Sequence, residues 1–361
     1  MVVRRLILIS VCIFVCCCVS VAQPAQKDSL RCFDFIVRLV ETNYAGYSIK
    51  VNDNTSVGYT AMKDSLRASL ENDDISMRNA VGHYLSWFKD YHMTDAYGIT
   101  NGYLGGPINY ASIMDYNPQN VSCKVGSETY LIRLTTCDYR IRKWVKKAVR
   151  DFKKSHCQYL IVDLRGNTGG QNGPADPIIE LLYDKDWLCR GTEIRKSQDN
   201  ISYFRNAKLI RNDKKWQERI DNVEINEQEY CPLTEKYLIH FNKKCDLPVN
   251  AAVLIDNRTA SNAEGLVLSL KNVSDRVTVY GRDNSLGCYD YGDPQLYSIT
   301  GFNFRFRIPT TRAEGLPAGG IDTEGIAPDI KIPLDYPKTL SDNIDEWVLY
   351  VKDILENSHR R

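Results

Sequence analysis

The chain has 361 residues, with 46 Lys and Arg against 45 Asp and Glu for a formal net charge of +1, and 43% of its residues are hydrophobic. A balance this close to neutral, with no dense basic run, excludes nucleic acid as an expected partner. The length is ample for one large core, or for a core with a smaller companion unit.

Residues 1–22 open with Met1-Val-Val-Arg-Arg-Leu, continue as an apolar run and close at Ser20-Val21-Ala22 before the polar Gln23. A basic start, an apolar middle and a small residue at the end predict a cleaved export signal. The apolar middle is short for a membrane span, so no stable span is expected after cleavage. Eight cysteines follow: Cys32, Cys123, Cys137, Cys157, Cys189, Cys231, Cys245 and Cys288. An even set in an exported chain is compatible with disulfides, and the absence of any C-x-x-C spacing argues against structural zinc.

Residues 23–92 predict a small helical unit. Leu30, Phe33, Ile36, Val37, Val40 and Tyr44 share one helical face, a second helix is expected at about Tyr59 to Leu70, and a third at about Ile75 to Phe88. The helical pattern ends at Asp90-Tyr91-His92 and gives way to a Gly- and Asn-rich stretch through Gly106.

From 93 to 361 the pattern changes to strand, helix, strand. Thr129 to Thr135 predicts a strand, Ile141 to Lys154 an amphipathic helix and Tyr159 to Asp163 a continuous apolar strand. That order predicts a right-handed crossover in a mostly parallel, buried sheet. A helix is expected at Pro174 to Tyr183, and a polar elaboration at about 184–244, before the sheet resumes at Ala251. Strands at Val277 to Tyr280, Phe302 to Ile308 and Ile330 to Ile332 are expected to complete the core, with a closing helix across Ile344 to Leu355.

Two segments could carry chemistry. Asp163-Leu-Arg165-Gly-Asn167-Thr-Gly169-Gly170 follows a strand and is dense in residues that tolerate unusual backbone angles; it lacks the Lys-Ser end of a phosphate loop. Asn257-Arg-Thr-Ala-Ser261-Asn262-Ala-Glu264 runs from a strand into a helix, which sets Ser261 where unpaired N–H groups favour negative charge. Taken singly, the first could be a plain turn and the second a helix cap.

Taken together, the two segments resemble the carboxy-terminal processing peptidase family, which includes tail-specific proteases and the tricorn core domain. The order of Asp90-Tyr91-His92, the Leu-Arg-x-Asn-x-Gly-Gly turn, the Ala-Ser-x-x-Glu segment and Gly325-Ile-Ala-Pro-Asp329 also fits. The resemblance implies an α/β fold with a crotonase-like (ClpP/crotonase) core, behind the small N-terminal helical unit. It implies Ser261 as nucleophile, with oxyanion donors at Asn262 and at Gly169 or Gly170, and Glu264 in support.

In the tail-specific branch the base is a lysine some two dozen residues after the serine, where this chain has Gly281-Arg-Asp-Asn-Ser-Leu-Gly-Cys288. Arg282 cannot replace it, because a guanidinium stays protonated. Asp90-Tyr91-His92 resembles the Asp-x-His motif of the tricorn-like branch and implies His92 as base, with Glu324 to orient it and Asp322 as the reserve. Surface or core-satisfied rings are expected at His83, His156, His240 and His359.

Too few residues separate His92 from Thr129 for a PDZ insertion. The resemblance implies a serine endopeptidase acting on peptides or unfolded protein with no metal or organic cofactor, and the export signal with its Ala22-Gln23 junction predicts a bacterial periplasmic, cell-surface or extracellular location. A silent binding protein on the same scaffold, or an acyl-coenzyme A enzyme of crotonase type, are the rival readings; export argues against the second.

Overall fold

A computed structural model describes residues 26–93, 117–208, 210–299 and 301–357. The export signal expected at 1–22, the Gly- and Asn-rich stretch through Gly106, and His359 lie outside the described residues.

The helical unit forms as α1 (Gln26–Asn43), the short α2 (Tyr47–Lys50), α3 (Ser56–Glu71) and α4 (Met77–Ser86). The side chain of Ser76 caps α4 by accepting from the Asn79 N–H at 3.3 Å. Phe33, Ile36, Val40 and Tyr44 are fully buried on one face of α1, as their spacing requires.

Beyond it come β1 (Val121–Lys124), β2 (Thr129–Arg133), α5 (Arg142–Ser155), β3 (Tyr159–Asp163), α6 (Asp176–Leu182), β4 (Trp187–Cys189), β5 (Thr192–Arg195), α7 (Gln198–Asn206) and α8 (Lys214–Ile225). They are followed by β6 (Tyr230–Thr234), β7 (Tyr237–Ile239), β8 (Asn250–Leu254), α9 (Asn262–Val273), β9 (Val277–Gly281), β10 (Tyr291–Ile299), β11 (Phe304–Ala313), β12 (Ile330–Lys331) and α10 (Glu346–Asn357).

The main sheet has the order β1-β2-β3-β8-β9-β12, parallel throughout except for the antiparallel edge pair β1-β2. Every residue of β3 is buried, because alternate residues feed two separate cores. Leu160, Val162, Ala251 and Val253 point to one face and meet Val145, Phe152, Ile178, Leu266 and Leu270 of α5, α6 and α9. Ile161, Ala252 and Leu254 point to the other and meet Trp347, Val348 and Val351 of α10. A sheet covered on both faces explains the unbroken apolar run at Tyr159 to Val162.

The segment expected to be a strand at Phe302 to Ile308 is β11, but it does not join the main sheet. It belongs to a second, antiparallel sheet of order β10-β11-β5-β6, two strands of which come from the polar elaboration. Phe304, Phe306 and Ile308 pack into the same apolar cluster as α1, α3 and α4, which ties the helical unit to this sheet. The Ala45 N–H donates to the Pro309 carbonyl at 3.0 Å, and Arg195 Nη1 to the Tyr44 carbonyl at 2.8 Å.

All eight cysteines described are free thiols, so the disulfides that their even number is compatible with do not form. The side chains sit in different parts of the core: Cys157 beneath the main sheet, Cys32 among the N-terminal helices against the Met77 sulfur, and Cys137 beside Asn167. Buried singly, they behave as small apolar side chains.

A buried ionic cluster joins the ends of β2 and β3 to the start of α10. Asp163 accepts from Arg133 Nε at 2.7 Å and from Arg165 Nε and Nη2 at 2.9 and 2.7 Å, while Asp345 accepts from Arg133 Nη2 at 3.0 Å and Arg165 Nη2 at 2.8 Å. Burial opposes the Asp163 charge, but the two guanidiniums win and hold its carboxyl well below the usual carboxylate range. Asp345→Ala would strip one carboxylate from two fully desolvated cations, and is expected to cost about 3–5 kcal/mol by denaturant unfolding. A loss under 1 kcal/mol would mean the cluster does not anchor α10.

Candidate active site

The two motif segments are joined loop to loop at the carboxyl ends of β3 and β8. Asp256 Oδ1 accepts from the N–H groups of Gly166, Arg258 and Thr259 at 3.0, 2.9 and 2.9 Å. Thr259 Oγ1 donates to the Leu164 carbonyl at 3.0 Å, and the Ala260 N–H to the Asn167 carbonyl at 3.0 Å. This backbone lacing delivers Ser261 at the start of α9.

Asp256 is fully buried, and burial pushes its carboxyl up to about 6 despite the three donors; its Oδ2 has no hydrogen-bond partner among the described residues. Because its folded value is raised, the stability it contributes is present below the unfolded value of about 4 and is lost as pH rises through about 6. Asp256→Asn keeps an acceptor and carries no charge. It is expected to match the parent protein near pH 4 and to exceed it above pH 7 by roughly 1–3 kcal/mol, measured by urea unfolding at the two pH values; equal stability at both would overturn this.

Ser261 has φ 55° and ψ −126°, in the left-handed half of the map that a serine rarely adopts. Strain of this kind costs about 1–3 kcal/mol and persists where the surroundings enforce it. Here they do: the Ser261 N–H donates to Glu264 Oε2 at 2.9 Å, the glutamate half of a capping box. The remaining lone pairs of Glu264, itself fully buried, hold the turn after β9. Oε1 accepts from Ser285 Oγ at 2.6 Å and the Gly287 N–H at 2.7 Å, and Oε2 also from the Cys288 N–H at 3.0 Å.

The Ser261 hydroxyl oxygen lies 3.0 Å from His92 Nε2, across 169 positions of sequence. His92 follows α4, and its loop is held by Asp90: the buried carboxylate accepts the His92 N–H at 2.8 Å and the Tyr44 hydroxyl at 2.8 Å. Since Tyr44 directly follows α1 and its chain is bonded to the second sheet, the packing of the helical unit on that sheet sets the position of the imidazole.

The glycine turn after β3 packs against the serine. Gly169 lies so close that a Cβ there would fall 2.8 Å from Ser261 Cβ and 2.9 Å from the Asn262 nitrogen. Its own N–H is used, donating to Asn167 Oδ1 at 2.9 Å. The N–H groups of Asn262 and Gly170 have no such partner among the described residues, so of the two glycines expected as donors, Gly170 is the one left available.

The expected carboxylates are placed differently from one another. Glu324 is exposed, and its carbonyl accepts from Asn284 Nδ2 at 2.9 Å. Asp322 is half-buried, is ion-paired with Lys50 and donates its N–H to Asp290 Oδ2 at 2.7 Å. Burial, then repulsion from Asp90, pushes its carboxyl up to about 7 against the pull of Lys50, and its Oδ1 has no hydrogen-bond partner among the described residues. A third, Asp293, accepts from Thr311 Oγ1 at 2.9 Å; desolvation raises its carboxyl and the charge of His92 opposes that rise. His92 Nδ1 is buried without a hydrogen-bond partner among the described residues.

Arg282 pairs with Asp335 at 2.5 Å on the exterior. His83, His156 and His240 are exposed, and His240 bonds Asp186 at 2.9 Å. Sequence reading missed Asp256, Asn167 as a loop clamp, Lys50 and Asp293; Asn167 sits inside a recognised motif and Asp256 directly before the other, whereas nothing local marks the last two.

A serine and a histidine in hydrogen-bond contact beside free main-chain donors, at the carboxyl ends of parallel strands, have the form of a serine hydrolase site. The family model for peptidase family S41 matches residues 128–332, and the chain belongs to that family. The match includes Ser261 and both glycines and stops short of His92. No curated protein matches the sequence. Among solved structures, mature CPAF complexed with lactacystin is similar at TM-score 0.65 and 12% identity, over 92% of this chain and 98% of that one. A protein from Parabacteroides merdae ATCC 43184, solved under a provisional peptidase designation, is similar at TM-score 0.53 and 15% identity, over 86% and 90%. At such identities the likeness is one of fold.

Proposed function

We propose that the protein is an exported serine endopeptidase that cleaves peptide bonds through an acyl-enzyme. The observation that carries this reading is the 3.0 Å contact between Ser261 Oγ and His92 Nε2. Ser261 attacks the carbonyl carbon while His92 takes its proton; the oxyanion is held by the N–H groups of Asn262 and Gly170, and His92 then returns the proton to the leaving amine. Water repeats the cycle on the ester to release the acid.

Of the two carboxylates expected to orient His92, Glu324 is exposed and Asp322 is ion-paired with Lys50. Asp293, whose carboxyl interacts electrostatically with His92, is the better candidate to stabilise the imidazolium. An engaged serine–histidine pair counts against the silent-scaffold reading, since a binding protein would have no need of it. Export rests on the sequence of residues 1–22, and among the described residues no helix is long and apolar enough to cross a membrane.

A fluorophosphonate probe tests the assignment. Labelling is expected on Ser261, identified by peptide mapping, and to vanish in Ser261→Ala and His92→Ala; label on another residue would refute the nucleophile.

A further inference from the structure

A cavity of about 250 Å³ opens directly beside Asn262, one residue from Ser261. Its walls come from three places: α6 contributes Ile179, α9 contributes Leu266, and the β7 segment contributes Tyr237 and Phe241. Tyr289 lies across α9 at Gly265, where even a Cβ would fall 2.5 Å from the ring, so the glycine is what lets the ring line the cavity.

The lining mixes aromatic and aliphatic side chains with the neutral polar Asn172, Asn262 and Ser269; its one acid is Asp176, and it holds no lysine or arginine. Asp176 is exposed, and its carboxylate has no hydrogen-bond or ion-pair partner among the described residues. Desolvation raises its proton affinity, opposed by Arg142, which is not part of the lining. His240, also on the lining, is already engaged by Asp186.

The geometry points to this cavity as the subsite for a basic substrate side chain, arginine or lysine, next to the scissile bond. This rests on the peptidase reading given above. A long cationic side chain satisfies both halves of the lining at once: its methylene stem packs on the tyrosine and phenylalanine rings, where a cation is also attracted by the ring faces, and its charged end meets Asp176. A leucine would cover the same apolar wall but leave the carboxylate without a partner and less hydrated. An acidic side chain would meet like charge.

Binding to Ser261→Ala protein separates this from the catalytic reading. Three fluorescein-labelled alanine-based pentapeptides with a central Arg, Leu or Glu are compared by anisotropy. The Arg peptide is expected to bind about tenfold more tightly than the Leu peptide, as one partly exposed ion pair allows. Asp176→Asn is expected to remove that advantage, and Asp176→Lys to pass it to the Glu peptide, both with an unchanged Tm. A Leu peptide that binds as well as Arg, an Arg advantage that survives Asp176→Asn, or no binding of any peptide overturns the subsite. Hydrolysis by the parent protein then judges the other reading: charge-dependent binding without Ser261-dependent cleavage would leave the subsite standing and the peptidase proposal refuted.

Discussion

Ser261→Ala is expected to lower kcat for peptide hydrolysis by a factor on the order of 10⁴–10⁶, with His92→Ala close behind and the double variant no worse than the more damaged single one. The reason is that the two side chains act as one device: a hydroxyl at neutral pH is a poor nucleophile until a base 3.0 Å away can take its proton. Neither variant removes a fold contact of consequence, so both should retain the parent Tm within a few degrees. Residual turnover is expected from the oxyanion donors, which survive both substitutions because they are main-chain groups. Steady-state kinetics on an unfolded protein substrate decide the matter; additive losses in the double variant would show that the serine and histidine work independently.

Glu264→Ala is expected to damage both stability and activity, by about 3–5 kcal/mol in unfolding free energy and with near-complete loss of hydrolysis. Four donors converge on this one buried carboxylate: the N–H groups of Ser261, Gly287 and Cys288 and the hydroxyl of Ser285. Removing it leaves them all unpaired in a site that water does not readily reach. It also frees Ser261 from the strained backbone geometry that aims its hydroxyl at His92. Glu264→Gln should recover little, because its amide nitrogen would face two donors in place of an acceptor. Urea unfolding and activity measured on the same preparations check this; full activity in the alanine variant would mean that α9 alone orients the serine.

Much of the molecule is legible along the chain. The unbroken apolar run at Tyr159 to Val162 and the small-residue run at Ala251 to Leu254 announce a sheet covered on both faces, and the described strands pair in that way. The turn at Asp163 to Gly170 and the junction at Ser261 are visible because their residue types follow from local backbone demands. The second sheet is much less visible: β5 and β6 are short strands within a polar stretch, and β5, which carries β6, is paired with β11 more than a hundred residues away. Local periodicity carries no trace of such pairing. The cysteine count misled for a related reason, since parity says nothing about which side chains end up close together.

From the sequence alone, then, come the two motif loops, the serine that stands between a strand and a helix, and a histidine near the end of a helical unit. Local chemistry is enough for these, because glycine, asparagine and serine at strand ends mark turns that few other residues can make. Only the tertiary structure decides that His92 meets Ser261, that Gly170 rather than Gly169 keeps an N–H without a partner among the described residues, and that Glu264 is bonded on every side. The physical reason is that each of these depends on packing the helical unit against β11 and the Ser285–Cys288 turn against α9, contacts between segments far apart in the chain whose geometry no short window of residues contains.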